Sequence, residues 1–244
     1  MAQFERTAIV TGGGKRVGAV IVRALLDDGW TVIAHVRRDA DQVPEGAVKA
    51  VADLAEEDCA QRVFAACQGH PPVRLLVNNA ARFAFDGFGD VSAAEFDAHL
   101  RVNARAPMML IDELARRHQG GEALVVNLLD AKLAAPNADF LSYTISKYAL
   151  AGLGEVAARA LAAKGIRVNA IAPALMLPSG DQSRGNFETV HGLNPLGRGI
   201  EPADIVAALR YLIDSTGITG QTLTIDGGQR FMGLPRDIQF LESE

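Results

Sequence analysis

Thr7–Val10 is a short apolar run that passes directly into Thr11-Gly-Gly-Gly-Lys-Arg-Val-Gly18, and the apolar spacing over Val17–Asp28 then reads as a helix closed by Gly29. A strand, a glycine turn and a helix in that order are the opening of a crossover unit, which commits the chain to a parallel sheet. Glycines let backbone amides approach a pyrophosphate, and the N-terminus of the following helix favours an anion. Thr11, Gly12, Gly14, Lys15, Arg16, Val17 and Gly18 are therefore candidate phosphate-binding residues. Without a ligand the same residues make only a tight turn.

The alternation continues to the end of the chain. Strands are expected at Thr31–Val36, Ala47–Ala52, Leu75–Val77, Ala123–Leu128, Ile166–Ile171 and Gln221–Ile225. Helices are expected over Glu56–Cys67, from Ser92 onwards, over Tyr143–Lys164 and from Pro202. Ser92-Ala-Ala-Glu95 is a capping-box pattern, and Pro107 is placed to kink or divide the helix that it opens. Strands separated by helices imply a parallel sheet covered on both faces. The expectation is one domain over residues 1–244: a doubly wound, seven-stranded parallel sheet with no repeat and no linker. The least regular stretch is 173–199, rich in Gly, Pro and Ser, and a long loop of this kind often covers a site.

A net charge of −5 argues against a nucleic-acid surface, and no apolar run reaches membrane length. Cys59 and Cys67, on one expected helix, stand about 12 Å apart by helical rise, too far for a disulfide. Free thiols and the absence of a signal-peptide pattern before Val10 make a cytoplasmic protein the default. His35, His70, His99, His118 and His191 lack metal-ligand spacing and are read as surface or packing residues.

Two further stretches carry chemistry. At the end of the second strand the chain reads His35-Val36-Arg37-Arg38-Asp39. An acid at this point of a dinucleotide fold would accept from the adenosine ribose, whereas a basic group accommodates a 2′-phosphate. His35, Arg37 and Arg38 are candidate cofactor-binding residues, and the arginines favour NADPH, with Asp39 as a counterweight. Further on, Tyr143 and Lys147 lie one helical turn apart. A nearby ammonium is expected to lower the phenol pKa from about 10 towards neutrality, making a usable acid or base.

Taken together these features resemble the short-chain dehydrogenase/reductase family over essentially the whole chain. The matching pieces are the glycine turn, Asp53-Leu54, Asn78-Asn79-Ala80, Asn103, the Tyr143/Lys147 pair, Arg167-Val-Asn-Ala-Ile-Ala-Pro173 and Asp226-Gly-Gly228. The resemblance implies a Rossmann fold, a small-molecule substrate, a nicotinamide cofactor and a homotetramer or homodimer. It also implies roles: Tyr143 as proton donor, Lys147 on the nicotinamide ribose, Asn103 holding a relay water, Asp53 and Leu54 beside the adenine, Asn79 and Ala80 near the nicotinamide ribose, and Pro173 in the cofactor site.

Two departures from the common family pattern are informative. Position 16 is Arg where Gly is usual, and the residue thirteen before the Tyr is Asp130 rather than Ser. Both are shared by the pteridine reductase branch, which includes dihydromonapterin reductases. That branch also resembles this chain in an aromatic four residues after Asn79, here Phe83, and in the Ala172-Pro-Ala-Leu-Met-Leu177 stretch with Leu175 and Met176. Ala81 departs, because the branch often has Ser there. An ionised Asp would repel the oxyanion formed from a ketone, whereas a C=N substrate ends on a protonated nitrogen that a carboxyl can help supply. Burial is expected to raise the Asp130 pKa and Lys147 to oppose the rise. Phe83 either packs in the core or forms one wall for a flat heterocycle, and Arg16 reaches phosphate and a ring oxo group, or is a plain surface cation. The expected activity is hydride transfer from NADPH to a dihydropterin or related pteridine or folate. A carbonyl or 3-oxoacyl reductase on the same fold, and a non-catalytic NADP(H)-binding regulator, are the alternatives.

Overall fold

The computed structural model describes residues 6–178 and 182–241. Seven strands form one sheet: β1 (Thr7–Val10), β2 (Thr31–Val36), β3 (Val48–Val51), β4 (Val73–Asn78), β5 (Ala123–Leu128), β6 (Ile166–Pro173) and β7 (Thr222–Ile225). Their spatial order is β3-β2-β1-β4-β5-β6-β7, and every pairing is parallel. The helices are α1 (Arg16–Asp27), α2 (Cys59–Ala65), α3 (Ala93–Leu100), α4 (Ala106–Arg117), α5 (Leu141–Leu161), α6 (Arg184–Val190) and α7 (Pro202–Asp214). This is the doubly wound α/β architecture that the alternation implies.

The period-two alternation of the strands divides the core in two. Ile9, Ile33, Leu76, Val125 and Val168 face α2, α4 and α5. Their neighbours Ala8, Val10, Val32, Leu75, Val77 and Val126 face α1 and α7. Each fully buried Leu or Ile here contributes about 1.5–3 kcal/mol relative to exposure, so both helical layers are held by side chains of the same strands.

Local chemistry moved several boundaries. The helix expected from Glu56 begins only at Cys59, because the Asp53 carboxylate accepts from the Ala55 amide at 2.9 Å and holds a turn first. Ser92 does cap α3, accepting from the Glu95 amide at 3.1 Å, but the Glu95 carboxylate pairs with Arg82 at 2.7 Å instead of returning to the cap. Pro107 divides its helix through a π turn at Arg101–Arg105, which joins α3 to α4. The irregular stretch 173–199 contains the short helix α6; its residues 179–181 lie outside the described residues. Among the described residues no helix is long and apolar enough to cross a membrane, and both cysteines are free.

Candidate active site

The strand order reverses at β1, whose neighbours are β2 on one side and β4 on the other. Loops leaving the carboxyl ends there diverge to opposite faces and open a crevice, the usual ligand position of an open parallel sheet. Two adjoining clefts occupy it. One, of about 880 Å³, is lined by Gly12, Gly14, Lys15, Gly18, His35, Arg37, Arg38, Asp53, Leu54 and Ala80. The other, of about 290 Å³, is lined by Asp130, Tyr143, Lys147, Pro173, Leu175 and Met176. Arg16, Val17, Asn79, Ala81 and Phe83 line both.

The glycine turn is shaped by close backbone approaches. A Cβ on Gly18 would stand 2.1 Å from the Gly12 carbonyl oxygen, and one on Gly14 would stand 2.5 Å from that of Gln42. Thr11, buried beneath the turn, accepts from the amides of Asn79 and Ala80 at 2.9 and 3.0 Å, and Asn79 Nδ2 donates back to the Thr11 carbonyl at 2.8 Å. His35 braces the turn from the other side. The Gly12 amide donates to its Nδ1 at 3.1 Å, so Nε2 carries the proton and donates to the Ala52 carbonyl at 2.9 Å. Burial lowers the His35 pKa and keeps this neutral tautomer. His35 is thus a packing residue with a specific task, holding β1 to β2 and β3. Arg16 has φ +52°, the region that glycine adopts freely and that costs an L-residue about 1–3 kcal/mol. It therefore stands in a glycine conformation at the place where the family pattern has glycine.

Arg37 and Arg38 both reach the larger cleft, each already paired with an acid. Arg37 Nε lies 3.0 Å from Asp53, and Arg38 lies 3.3 Å from Asp41. The amide of Ala55 and the charge of Arg37 lower the Asp53 pKa against its partial burial. Asp39 turns away to Lys49 at 3.6 Å, so the acid that balances Arg38 is Asp41, which the sequence pattern did not single out.

In the smaller cleft the Tyr143 hydroxyl donates to Asp130 Oδ2 at 2.9 Å, and Asp130 Oδ1 accepts from the Lys132 amide at 2.9 Å. Lys147 Nζ donates to the Leu128 carbonyl at 2.6 Å. Burial raises the Asp130 pKa, as expected, against the opposing hydrogen bonds and the Lys147 charge. The expectation for Tyr143 is reversed: its pKa is raised well above the ordinary tyrosine value, first by burial and then by Asp130. Desolvation outweighs the ammonium here, and Lys147 is itself lowered to about 8 by burial. The phenol is a neutral O–H that donates to the carboxylate, arranged to give a proton rather than to take one.

Phe83 is no core residue. It is 38% exposed, stacked on Phe140 at 4.3 Å and edge-on to Tyr143 at 4.7 Å. Asn103, buried in the π turn, accepts from the Arg82 amide at 2.7 Å and donates to the Arg82 carbonyl and Ser146 Oγ, both at 2.9 Å. Its side chain therefore clips the Phe83 segment to α5. Two contributors are invisible in local sequence. Asp86 caps α5, accepting from the Ser142 amide at 2.9 Å. The segment around Asp237 closes one side of the smaller cleft. Both act across long sequence separations, and no periodicity or spacing signals them.

With this geometry in place, the comparisons with known proteins are specific. A family model described as enoyl-(acyl carrier protein) reductase matches residues 14–230. The L-xylulose reductase of Mesocricetus auratus is 32% identical, over 91% of this chain and 96% of its own. Pteridine reductase 1 of Leishmania tarentolae is 30% identical, over 91% and 95%. The crystal structure of FolM alternative dihydrofolate reductase 1 from Brucella canis complexed with NADP superimposes with a TM-score of 0.86 at 35% identity, covering 93% of this chain and 95% of that one.

Two outcomes test the site as built. Gly18→Ala forces a methyl against backbone, which has no rotamer to yield, so urea unfolding is expected to show a loss of about 1–3 kcal/mol; unchanged stability would mean that the turn relaxes freely. Lys147→Met tests the buried ammonium. Because the folded pKa of about 8 lies below the unfolded value of 10.5, the unfolded state binds more protons between them, and stability from this group rises with pH across that window. The variant is expected to be most favoured relative to wild type below pH 8 and to lose that advantage towards pH 10; a gap independent of pH would refute the burial argument.

Proposed function

The chain belongs to the short-chain dehydrogenase/reductase family of oxidoreductases, and from that premise we propose that it is an NADPH-dependent reductase of a C=N bond in a dihydropterin or a related pteridine or folate. The observation that carries this reading is the carboxyl of Asp130 hydrogen-bonded to the Tyr143 hydroxyl, in the position where the family's ketone reductases keep a serine. A serine hydroxyl donates to a developing oxyanion; a carboxylate there opposes it. A nitrogen that must end protonated is served by the Asp130–Tyr143 pair.

The larger cleft fits a dinucleotide phosphate. Gly12, Gly14 and Gly18 leave room that a Cβ would fill, Lys15 and Arg16 stand at the start of α1, and Arg37 and Arg38 present two guanidinium groups at the end of β2. NADPH held there supplies the hydride. Arg37 and Arg38 take the 2′-phosphate, exchanging their present carboxylate partners for it; Asp53 and Leu54 flank the adenine, and Asn79, Ala80, Tyr143, Lys147 and Pro173 surround the nicotinamide ribose. Arg16 and Phe83, which line both clefts, position the substrate ring with Leu175 and Met176, Phe83 stacking on its face. Tyr143 gives its proton to the ring nitrogen and, as phenolate, is reprotonated through Asp130 once that carboxyl has taken a proton from solvent; burial raises the Asp130 pKa and so favours its protonated form. Lys147 supplies positive charge beneath Tyr143, and Asn103 holds the two segments in register.

The similarity to L-xylulose reductase favours a second reading, a carbonyl reductase on the same scaffold. We further propose self-association through α4 and α5, where Met108, Ile145, Tyr148 and Val156 are exposed.

NADPH oxidation against a panel of dihydropterins, dihydrofolate and activated ketones separates the two readings. Dihydropterins are expected to be the better substrates. Tyr143→Phe is expected to lower kcat by at least about 100-fold with cofactor affinity retained. Asp130→Ser is expected to lower pterin reduction while ketone reduction holds or rises; an unchanged ranking, or ketones alone turned over by the wild type, would select the carbonyl reductase. Cofactor choice is tested separately by kcat/KM for NADPH and NADH. Replacing Arg37 and Arg38 with Ala is expected to narrow the NADPH preference by about 1.5–3 kcal/mol per lost charge-assisted bond; a wild type without preference would remove the 2′-phosphate argument.

A further inference from the structure

The smaller cleft has a wall that the function above leaves unused. It is made by the C-terminal segment, whose Leu234, Asp237 and Ile238 line the cleft together with Arg16 and Phe83. The segment is held rigidly. Asp139, buried at the start of α5, accepts from the Asp237 amide at 2.7 Å and from Arg236 Nε at 2.9 Å. Phe240 stacks over Phe140 at 5.7 Å, and Phe140 stacks on Phe83, so an aromatic ladder runs from the C-terminal segment to Tyr143.

The two carboxylates of this wall differ in how fully they are used. Asp139 is satisfied by close contacts from Arg236 and from the backbone of Asp237. Among the described residues Asp237, four-fifths covered, has only long side-chain partners: Lys132 Nζ at 3.4 Å, which also donates to the Asp139 carbonyl, and the Gln239 amide at 3.3 Å. A carboxylate has about four acceptor positions, and contacts beyond 3.2 Å use them poorly. A largely desolvated carboxylate with spare acceptor capacity, in a cleft walled by an aromatic ring, is suited to paired N–H groups on the edge of a planar heterocycle. It is also near enough for its charge to raise the pKa values of Asp130 and Tyr143.

We propose that Asp237 is a specificity-determining residue that receives the N–H edge of the substrate ring, the 2-amino group and adjacent ring N–H of a pterin, with Lys132 holding the carboxylate in place. This rests on the pteridine reading of the same cleft and adds the orientation of the ring: donor edge towards the C-terminal segment, reducible C=N towards Tyr143 and Asp130.

The test is a binding comparison that requires no turnover. Oxidised pterin carries the 2-amino group and lumazine replaces it with an oxo group. Their dissociation constants for the NADP⁺-saturated full chain are measured by calorimetry for the wild type, Asp237→Asn and Asp237→Ser. Asn and Ser cap the short helix that follows as well as Asp does, so the segment keeps its structural support. Wild type is expected to prefer pterin to lumazine by at least tenfold, and both variants are expected to lose most of that preference with NADP⁺ affinity unchanged. A wild type that binds both alike, or binds neither, overturns the assignment, as does a preference that survives in both variants. If discrimination depends on Asp237 but no dihydropterin is reduced, the proposed reaction fails while the ring-edge assignment stands. If pterins are reduced and the variants discriminate as the wild type does, the reverse holds.

Discussion

Everything in the site depends on the reversal of strand order at β1. Because β2 and β4 flank it, the loops leaving three adjacent strand ends must part, and the gap has to be held open by something other than the sheet ladder. Thr11, Asn79 and His35 do this with side-chain hydrogen bonds to backbone groups that the sheet leaves unpaired. The glycine turn is therefore fixed from both sides before any ligand arrives. The contacts that fix it are also the reason that Gly18 has no space for a methyl group.

Burial decides the electrostatics of the chemistry. A lysine one turn from a tyrosine normally favours the phenolate, yet here the phenol is pushed the other way, because desolvation and Asp130 together exceed the pull of Lys147. The same desolvation brings Lys147 down to about 8 and Asp130 up. The proton that chemistry needs sits in the hydrogen bond from Tyr143 to Asp130. An acid pair of this kind suits a reaction that ends on nitrogen, which is why one substitution in the family pattern carries more functional information than the many matches around it. The strained backbone at Arg16 belongs to the same departure. A guanidinium between two clefts is retained at a position where glycine would be easier to fold.

The fold was largely legible in the chain. Alternating apolar strands and amphipathic helices admit little besides a parallel sheet covered on both faces, and Thr7–Gly18 marks where it starts. Boundaries were less legible where one side chain decides them, as Asp53 does by delaying α2. In the site, local spacing pointed to the glycine turn, the two arginines and the Tyr143/Lys147 pair, since each lies at the end of a recognisable strand or one helical turn from a partner, whereas Asp130 and Phe83 were singled out by the family resemblance. Spacing did not identify Asp41, because the choice between it and Asp39 depends on which way a surface turn points. It did not reach Asp86 or Asp237 either, because their partners stand 56 and 98 residues away and meet them only through the packing of α5. Sequence alone thus determined which chemical groups are present and which strand ends carry them. Tertiary structure alone decided their protonation, because a pKa is set by desolvation and by neighbours brought together across the fold, neither of which is a property of residue order.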